Sequence, residues 1–501
     1  MSIFKRKRCR AILSVATVFC ILVAAAPGVR AEHPTVEGYY QLQQQVAEQE
    51  IRLRQLESIR IPSDYEQSDL FNVAANSAME LRLAELEELV HEDGKGDGEG
   101  RPAESGTTQK WSGRVHFDYW AFPDASPLAN FLETSDPATS PPDFTGFRRV
   151  RLGLSGKITD TMEYKVEMDS AAPSSLAFKD TYIGWNELPL LQTVLLGNQK
   201  RPYGLDHLNS SRLNVFMERP FHVEAYNQDA RRIGLQSYGV TTDERWNWRY
   251  GYFLMDDLST LGGQRTDNYQ SEIAGRMANT IGYDESSGGR GYAHWAISAS
   301  AAFPGGGPDA RFLTRPEART SGKWLDTGAI AGGKRYQLLG VETLVNVGAF
   351  QIVGELQTSN VQRTAGPDLE FGGGYVYVAY FLTGEHTPWQ RTSGTIGRVK
   401  PFENFFLVER CCGGHGSGWG AWQIAARYSH ADFTDDDIFG GVGDSFTLGL
   451  NWWFNPNARM QFNYIYGSID ERAAVGGAPL AAGLGTTGDY DVFGTRFMVD
   501  F

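Results

Sequence analysis

Hydrophobic and polar residues alternate with a period of two through most of the chain that follows Trp111. In "TMEYKVEMD" (161–169), Met, Tyr and Val take one set of alternate positions and Glu, Lys and Asp take the other. The same pattern occurs in "WSGRVHFDYWAF" (111–122), where Trp, Val, Phe and Tyr share one face. Successive side chains of a strand point to opposite sides of a sheet, so each segment predicts a strand with one apolar and one polar face.

About sixteen segments of this kind follow one another, an even number of the sort found in bacterial membrane barrels. The predicted strands cover 111–122, 146–158, 161–170, 176–187, 192–202, 229–240, 245–255, 269–280, 290–303, 335–346, 349–360, 373–386, 419–431, 444–455, 457–468 and 489–501. The sequence therefore predicts an all-β fold, a transmembrane antiparallel β-barrel of about 16 strands that occupies residues 111–501.

The connections between these strands alternate in length. Short connections include 159–160, 241–244 and 455–457, and long ones include 123–145, 203–228, 304–334 and 467–488. Short turns at one end and long loops at the other are typical of an up-and-down outer-membrane barrel, whereas a soluble sandwich would not sort its loops in this way. The segment 387–418 is long where a short turn is expected. Either a further strand lies in "FENFFLVER" (402–410) or this turn is elaborated.

The last predicted strand ends in "VFGTRFMVDF" (492–501), with Phe501 on its apolar face. A terminal aromatic residue on an alternating strand resembles the signal by which outer-membrane barrels are recognised for assembly. The alternative is an ordinary edge strand.

Residues 1–31 have the layout of a secretory signal peptide, with a basic opening, an apolar run and a small-residue cleavage site that ends at Ala31. A membrane anchor is the alternative, but the apolar run is shorter than the ~20 residues that a span needs. We therefore expect export and a mature chain that begins near Glu32.

Residues 32–92 carry apolar positions at steps of three and four, in two pieces separated around Pro62. This narrow seam predicts a periplasmic coiled-coil helix segment that precedes the barrel. The alternative is an amphipathic helix that packs on the main domain. Residues 93–110 are rich in Gly and charge and predict a flexible linker.

The chain has 46 Lys and Arg residues against 60 Asp and Glu residues, and the signal peptide contains only basic ones. Such an acidic protein is not expected to bind nucleic acid. Beyond the signal peptide only Cys411 and Cys412 remain. Neighbouring cysteines form a disulfide with each other only under strain, and two sulfurs are too few for a structural zinc site. We expect neither a metal site nor a cofactor.

Several stretches in order resemble the phosphate-selective porins of the O and P type. They are "FRRVRLGLSGKI" (147–158), "FKDTYIGW" (178–185), "LGNQKRPYGLDHLNSSRLNVFMERP" (196–220), "YFLTGE" (380–385), "GAWQIAARYSH" (420–430) and "LGLNWWFNPNARMQFNYIYG" (448–467). The resemblance implies a homotrimer of sixteen-stranded barrels in outer-membrane lipid. Each barrel would enclose a water-filled channel that an inward-folded third loop narrows and basic residues line. The implied function is passive diffusion of small anions such as phosphate or polyphosphate.

Six basic residues are candidates for lining the pore and binding its solute: Arg149, Arg151, Lys200, Arg201, Arg212 and Arg219. The first two alternate with apolar residues on one predicted strand, so we expect them to point into the lumen. The other four lie at the end of the fifth strand and on the following loop, which the resemblance identifies as the constriction. An arginine guanidinium offers planar donors that match phosphate oxygens.

Further lumen candidates by alternation alone are Arg114, Lys165, Arg231 and Arg276. For any single residue the alternative is a solvated loop charge or an ion pair with a nearby acid. Asp206, Glu218 and Glu224 add acids to the constriction loop, which leaves the preference for phosphate open.

Three other functions are alternatives to anion diffusion. The barrel could pass other small solutes such as sugars, or it could be a structural tether whose coiled coil binds the cell wall or a periplasmic partner. An enzyme would have to use His207 with Ser210 or Ser211, but no supporting acid or oxyanion arrangement is recognisable. We therefore predict no catalytic residues and no enzymatic activity.

Overall fold

The computed structural model describes residues 107–171, 176–227, 231–255, 270–304, 310–406, 408–409, 414–474 and 476–501. The predicted signal peptide, the predicted coiled coil and most of the predicted linker lie outside the described residues. Cys411 and Cys412 lie outside them too.

Sixteen antiparallel strands form a closed barrel. They are β1 Lys110–Ala125, β2 Phe144–Thr159, β3 Met162–Asp169, β4 Ala177–Leu188, β5 Gln192–Gln199, β6 Arg232–Val240, β7 Trp246–Leu254, β8 Ser271–Ile281, β9 Gly291–Phe303, β10 Gly333–Val347, β11 Phe350–Arg363, β12 Leu369–Phe381, β13 Ala421–Asp435, β14 Ile438–Asn455, β15 Ala458–Arg472 and β16 Gly488–Asp500. Each corresponds to one predicted segment, and β1 pairs with β16 to close the ring. The prediction of an all-β barrel of about 16 strands is confirmed.

The period of two produces an apolar outer wall and a polar interior. Leu196, Leu235, Tyr252 and Ile273 pair across four neighbouring strands and are about half exposed on the outside. Polar side chains such as that of Gln236 are buried inside. Because the barrel is closed, its strand hydrogen bonds are satisfied without free edges. No helix in the described ranges is long and apolar enough to cross a membrane.

The wall is uneven in height. β3 and β5 have eight residues each, and β6 and β7 have nine. The strands from β9 to β16 have at least 13 residues, and β14 has 18. β4 has 12 residues. We call β3 to β7 the short-strand wall, because four of its five strands have eight or nine residues.

Two long loops fold into the barrel from the same end. The third loop, 200–231, carries the short helices α2 Leu205–Leu208 and α3 Phe221–Tyr226. The backbone N–H of Phe221 donates to the buried carboxylate of Glu317, which lies in the loop 304–332, at 3.1 Å. The two loops therefore pack on each other inside the lumen. The first helix of the described residues, α1 Pro127–Thr134, lies in the loop after β1.

The turn 382–420 is elaborated, and no barrel strand lies within its described residues. One small sheet pairs Trp389–Gln390 with Thr395–Ile396 and enters the lumen, where the backbone N–H of Ile396 donates to Asn209 of the third loop at 3.0 Å. A second pairs Val408–Glu409 with His415–Gly416. Of the two interpretations of 387–418, the elaborated turn is correct.

Candidate functional site

A cavity of about 470 Å³ lies between the third loop and the wall formed by β1 to β7. Twelve of its lining residues are basic and three are acidic. The basic residues are Arg114, Arg148, Arg149, Arg151, Lys165, Lys179, Lys200, Arg212, Arg219, Arg231, Arg249 and Arg315. The acids are Asp180, Glu218 and Glu224. We call this space the basic cavity.

A β-bulge in β2 brings two consecutive arginines to the basic cavity. His116 pairs with Arg149, but the next residue of β1 pairs with Phe147, so Arg148 is an extra residue in the ladder. At such a bulge two adjacent residues face one partner residue. Arg148 and Arg149 both line the cavity, while Phe147 stays on the outer surface.

A second bulge acts in the same way on β4. Val166 pairs with Thr181 and Met168 with Phe178, which leaves two residues of β4 opposite one residue of β3. These two residues, Lys179 and Asp180, both line the basic cavity. The two bulges therefore raise the number of charged side chains that a short stretch of wall can direct inward.

Most arginines of the wall are held by carboxylates that lie beside or behind them. Glu167 is 3.0 Å from Arg114, 3.1 Å from Arg151 and 3.8 Å from Arg231. Asp180 is 2.5 Å from Arg231. These pairs fix the guanidinium groups in place, and they also occupy part of their hydrogen-bonding capacity.

Two arginines of the wall make no ion pair with a carboxylate anywhere in the described part of the chain. Arg149 is 5 % exposed, lies 3.4 Å from His116 Nδ1, and has no hydrogen-bond partner at Nε. Arg249 has its guanidinium 5.3 Å from the ring centre of Tyr238. Neither guanidinium group is therefore neutralised by a carboxylate of the described residues.

The helix α2 of the third loop is held at both ends. The Lys200 ammonium donates to the carbonyl oxygens of His207, Leu208 and Asn209 at 2.7, 2.9 and 2.9 Å, so it caps the C-terminal end. Lys200 lines the basic cavity, but its three donors are used by the backbone. The described contacts of Lys200 therefore stabilise the third loop.

The N-terminal end of α2 is held by the barrel wall. The carboxyl group of Glu355 on β11 accepts the backbone N–H groups of Leu205 and Asp206 at 2.8 and 2.6 Å and the Tyr375 hydroxyl at 2.6 Å. Gly204 precedes the helix with φ 76°, and a Cβ there would lie 2.9 Å from the Glu355 carboxyl. A residue with a side chain would therefore separate the helix from its anchor.

Arg219 and Glu218 brace the other part of the loop. Arg219 is 3.0 Å from Asp206. Burial raises the pKa of Asp206, although the positive charge of Arg219 opposes this shift. Glu218 is 2.8 Å from Arg148 and 2.7 Å from Arg496. Burial alone would raise the pKa of Glu218, but the charges of these arginines outweigh it and hold the pKa well below its usual range.

A second cavity, of about 660 Å³, lies at the short-turn end of the barrel. Both are lined by Lys165, Tyr182 and Arg212. At this end Asp500 lies 3.2 Å from Arg212 of the third loop and also contacts Arg398 of the turn 382–420. The two cavities therefore adjoin each other beside the third loop.

The structure places five of the six candidate residues in the lining of the basic cavity: Arg149, Arg151, Lys200, Arg212 and Arg219. The sixth, Arg201, does not line the cavity and lies 2.7 Å from the buried Glu272. Of the further candidates, Arg114, Lys165 and Arg231 line it. Arg276 does not, because it is buried against Glu342.

Sequence reasoning missed Lys179, Arg249 and Arg315 as lining residues. Alternation would have found Arg249, which shares the inner face of β7 with the buried Asn247 and Phe253. Lys179 lines the cavity because of the bulge in β4, and Arg315 lines it because its loop folds inward. No period of the sequence signals either.

Nothing in the described loop resembles a catalytic arrangement. Arg114 donates to Ser211 at 3.0 Å and to Ser210 at 3.5 Å, and no described hydrogen bond joins either serine to His207. Within the described residues no group of three His, Cys, Asp or Glu side chains is placed to hold a metal ion.

A closed barrel of sixteen antiparallel strands around a basic, loop-narrowed cavity defines an outer-membrane porin. The chain belongs to the phosphate-selective porin O and P family, whose family model matches residues 128–501. The resemblance noted in the sequence is thereby confirmed, and the protein is an outer-membrane channel. Short turns of such barrels face the periplasm.

Individual relatives are distant. An uncharacterized protein of Caulobacter vibrioides is 27% identical over 365 residues, which is 71% of this chain and 68% of the relative. Porin O of Pseudomonas aeruginosa is 27% identical over 113 residues, 21% of this chain and 23% of the relative.

Similar solved structures include the trimer form of the Vibrio cholerae outer membrane protein OmpT, at a TM-score of 0.46 and 12% identity over 79% of this chain and 100% of that one. The anion-selective porin from Comamonas acidovorans has a TM-score of 0.46 and 13% identity, with the same shares of the two chains covered.

Proposed function

We propose that this porin carries small anions across the outer membrane by passive diffusion and that phosphate and related oxyanions are its preferred solutes. The observation that carries the proposal is the charge of the basic cavity, where twelve basic residues face three acids. Walls of low dielectric focus this field, so the charge beside the path outweighs the net charge of −14 of the whole chain.

The preference for oxyanions rests on the unpaired guanidinium groups. Each presents several N–H donors in one plane, a geometry that matches two oxygens of a phosphate. Arg149 and Arg249 offer such donors with no carboxylate competing for them among the described residues. The surrounding arginines are paired with acids, so each would contribute a weaker contact. A solute would then pass from one weak site to the next, as conduction requires.

The reversal potential in a planar bilayer under a potassium chloride gradient tests this proposal. We expect chloride to be favoured over potassium, and we expect added phosphate to reduce the chloride current. A neutral sugar is the control, because it would reduce the current only if the barrel were built for uncharged solutes. Equal permeability of the two ions, or block by the sugar and not by phosphate, would contradict the proposal.

We infer that the protein forms a homotrimer through the short-strand wall. A strand of eight residues with a rise of ~3.3 Å and a tilt of ~40° spans roughly 20 Å, which is less than the ~25 Å apolar band of such barrels. The outer face of this wall is nonetheless apolar, with Leu196 and Leu235 about half exposed. Burial against a second barrel satisfies both observations better than lipid does.

A clash introduced at this wall tests the inference. Leu196→Trp combined with Leu235→Trp is expected to yield folded monomers, because an interface packed at interior density does not accept two extra indole rings. Leu448→Trp on β14 is the matched control, since lipid adapts to a larger apolar side chain. Unheated gel electrophoresis and light scattering in detergent measure the assembly. A trimer that survives both changes at the short-strand wall would place the contact elsewhere.

A further inference from the structure

The second half of the turn 382–420 lies on the outer face of the barrel. The backbone N–H of Phe405 donates to the carbonyl oxygen of Phe454 on β14 at 2.6 Å. The Phe405 ring centre is 4.6 Å from that of Trp452, whose side chain points outward from the same strand. A short segment of the turn therefore covers the aromatic residues of the wall. We call residues 402–406 and 414–419 of this segment the aromatic flap.

Three large apolar side chains of the aromatic flap are exposed. Phe402 is 66 % exposed, Phe406 is 64 % exposed and Trp419 is 79 % exposed. Several exposed aromatic rings on one short segment indicate a surface that meets something other than water. In membrane barrels, aromatic residues gather where the lipid headgroups begin.

A backbone carbonyl group of the aromatic flap is paired with side chains of the barrel wall. The carbonyl oxygen of Trp419 accepts the indole N–H of Trp422 at 3.0 Å and that of Trp452 at 2.9 Å. Unpaired backbone groups are costly at the depth of lipid. The flap thus accepts the hydrogen bonds of the indole N–H groups of the wall and adds its own aromatic rings to this side of the barrel.

The position of the flap around the ring points to lipid as its occupant. It lies on β14, which has 18 residues and is among the tallest parts of the wall. The centre of the short-strand wall, at β5 and β6, is eight strands away and so on the opposite side of the ring. The flap is also continuous with the outward aromatic residues of β14 and β16, since Phe454 lies 6.1 Å from Phe497. Lipid meets this side of an outer-membrane barrel.

We propose that the aromatic flap inserts Phe402, Phe406 and Trp419 into the periplasmic leaflet and anchors the short-turn rim of the barrel in phospholipid. The inference rests on the location of the protein in the outer membrane and on the proposed trimer contact at the short-strand wall, and not on which ions the channel conducts. The three rings enter the headgroup boundary, and the backbone behind them stays paired to the wall. A second copy of the chain or a periplasmic protein would be a different occupant.

Photo-crosslinking in phospholipid vesicles tests the proposal. The changes Trp419→p-benzoylphenylalanine and, separately, Phe406→p-benzoylphenylalanine replace exposed rings with a larger exposed ring, so both barrels should fold. The full chain is reconstituted in phosphatidylethanolamine and phosphatidylglycerol and irradiated, and the adducts are identified by mass spectrometry. Tyr464, on the outer face of β15, is the position expected to react with lipid. Thr242, exposed on the turn between β6 and β7, is the position expected not to.

We expect phospholipid adducts at 419 and 406 with a yield close to that at 464 and well above that at 242. Two outcomes overturn the proposal. One is a crosslink to a second copy of the chain in place of a lipid adduct. The other is a lipid yield at both flap positions no higher than that at 242 while 464 reacts.

Discussion

Arg149→Glu is expected to lower the preference of the channel for chloride over potassium by about tenfold, which corresponds to ~1.4 kcal/mol. At an effective dielectric constant of ~20, a unit charge about 4 Å from an ion contributes about 4 kcal/mol before screening, so the expected change is a conservative one. Arg149 is the position of choice because no described carboxylate neutralises it and it lines the basic cavity. The reversal potential of single channels in a potassium chloride gradient measures the effect.

Two further variants serve as controls for this prediction. Arg149→Gln removes the charge without inverting it and should give a smaller shift in the same direction. Arg245→Glu makes the same charge change on the exposed turn between β6 and β7. A charge there is screened within a Debye length of ~8 Å, so the reversal potential should stay that of the unaltered protein. If the Arg149 variants conduct with unaltered selectivity, the solute does not pass this residue.

Loss of the wall anchor of α2 is expected to widen the channel. Glu355→Leu would leave two buried backbone N–H groups and the Tyr375 hydroxyl without their acceptor. Each unsatisfied buried group costs about 1–3 kcal/mol, which is enough to displace a four-residue helix. We therefore expect a larger single-channel conductance, frequent current fluctuations and weaker anion selectivity.

Matched variants separate anchoring from direct contact with the solute. Tyr375→Phe removes one of the three hydrogen bonds and should leave the conductance nearly unchanged. Lys200→Met releases the opposite end of α2 from the loop side, without a change in the barrel wall, and should reproduce the larger conductance. If Lys200 were chiefly an anion ligand, Lys200→Met would instead lower the selectivity at constant conductance. Unaltered conductance in both Glu355→Leu and Lys200→Met would refute the role of this clamp.

The strands were predictable because a wall between lipid and a polar lumen demands strict alternation. Their ends were less so. The prediction placed the strands around the thirteenth connection at 419–431 and 444–455, whereas β13 and β14 meet in the two-residue connection 436–437. The added residues rise above the apolar band, where both faces of a strand can be polar and the period of two disappears. For the same reason the alternation of loop lengths is imperfect at the long-loop end.

The residues that line the cavity were predictable where they belong to regular strands. They were not predictable where a partner distant in sequence determines the position of the side chain. Alternation alone identified Arg149 and Arg151. Nothing local to Arg201 reveals that Glu272, from β8, takes up its charge. Likewise, Lys200 is occupied by the backbone of the loop itself. In an aperiodic loop the partner of a cation depends on the fold of the whole loop.

The bulge at Arg148 has a consequence for how this wall can vary in evolution. In a regular strand, loss of one residue turns every side chain beyond it to the opposite face. Loss of Arg148 would only remove the surplus residue of β2, so Phe147 and Val150 would stay on the lipid side and Arg149 on the inner side. Deletion of one codon can therefore remove one arginine from beside the path without changing the strand register. The charge that lines the cavity and the register of the barrel wall can therefore change independently at this bulge.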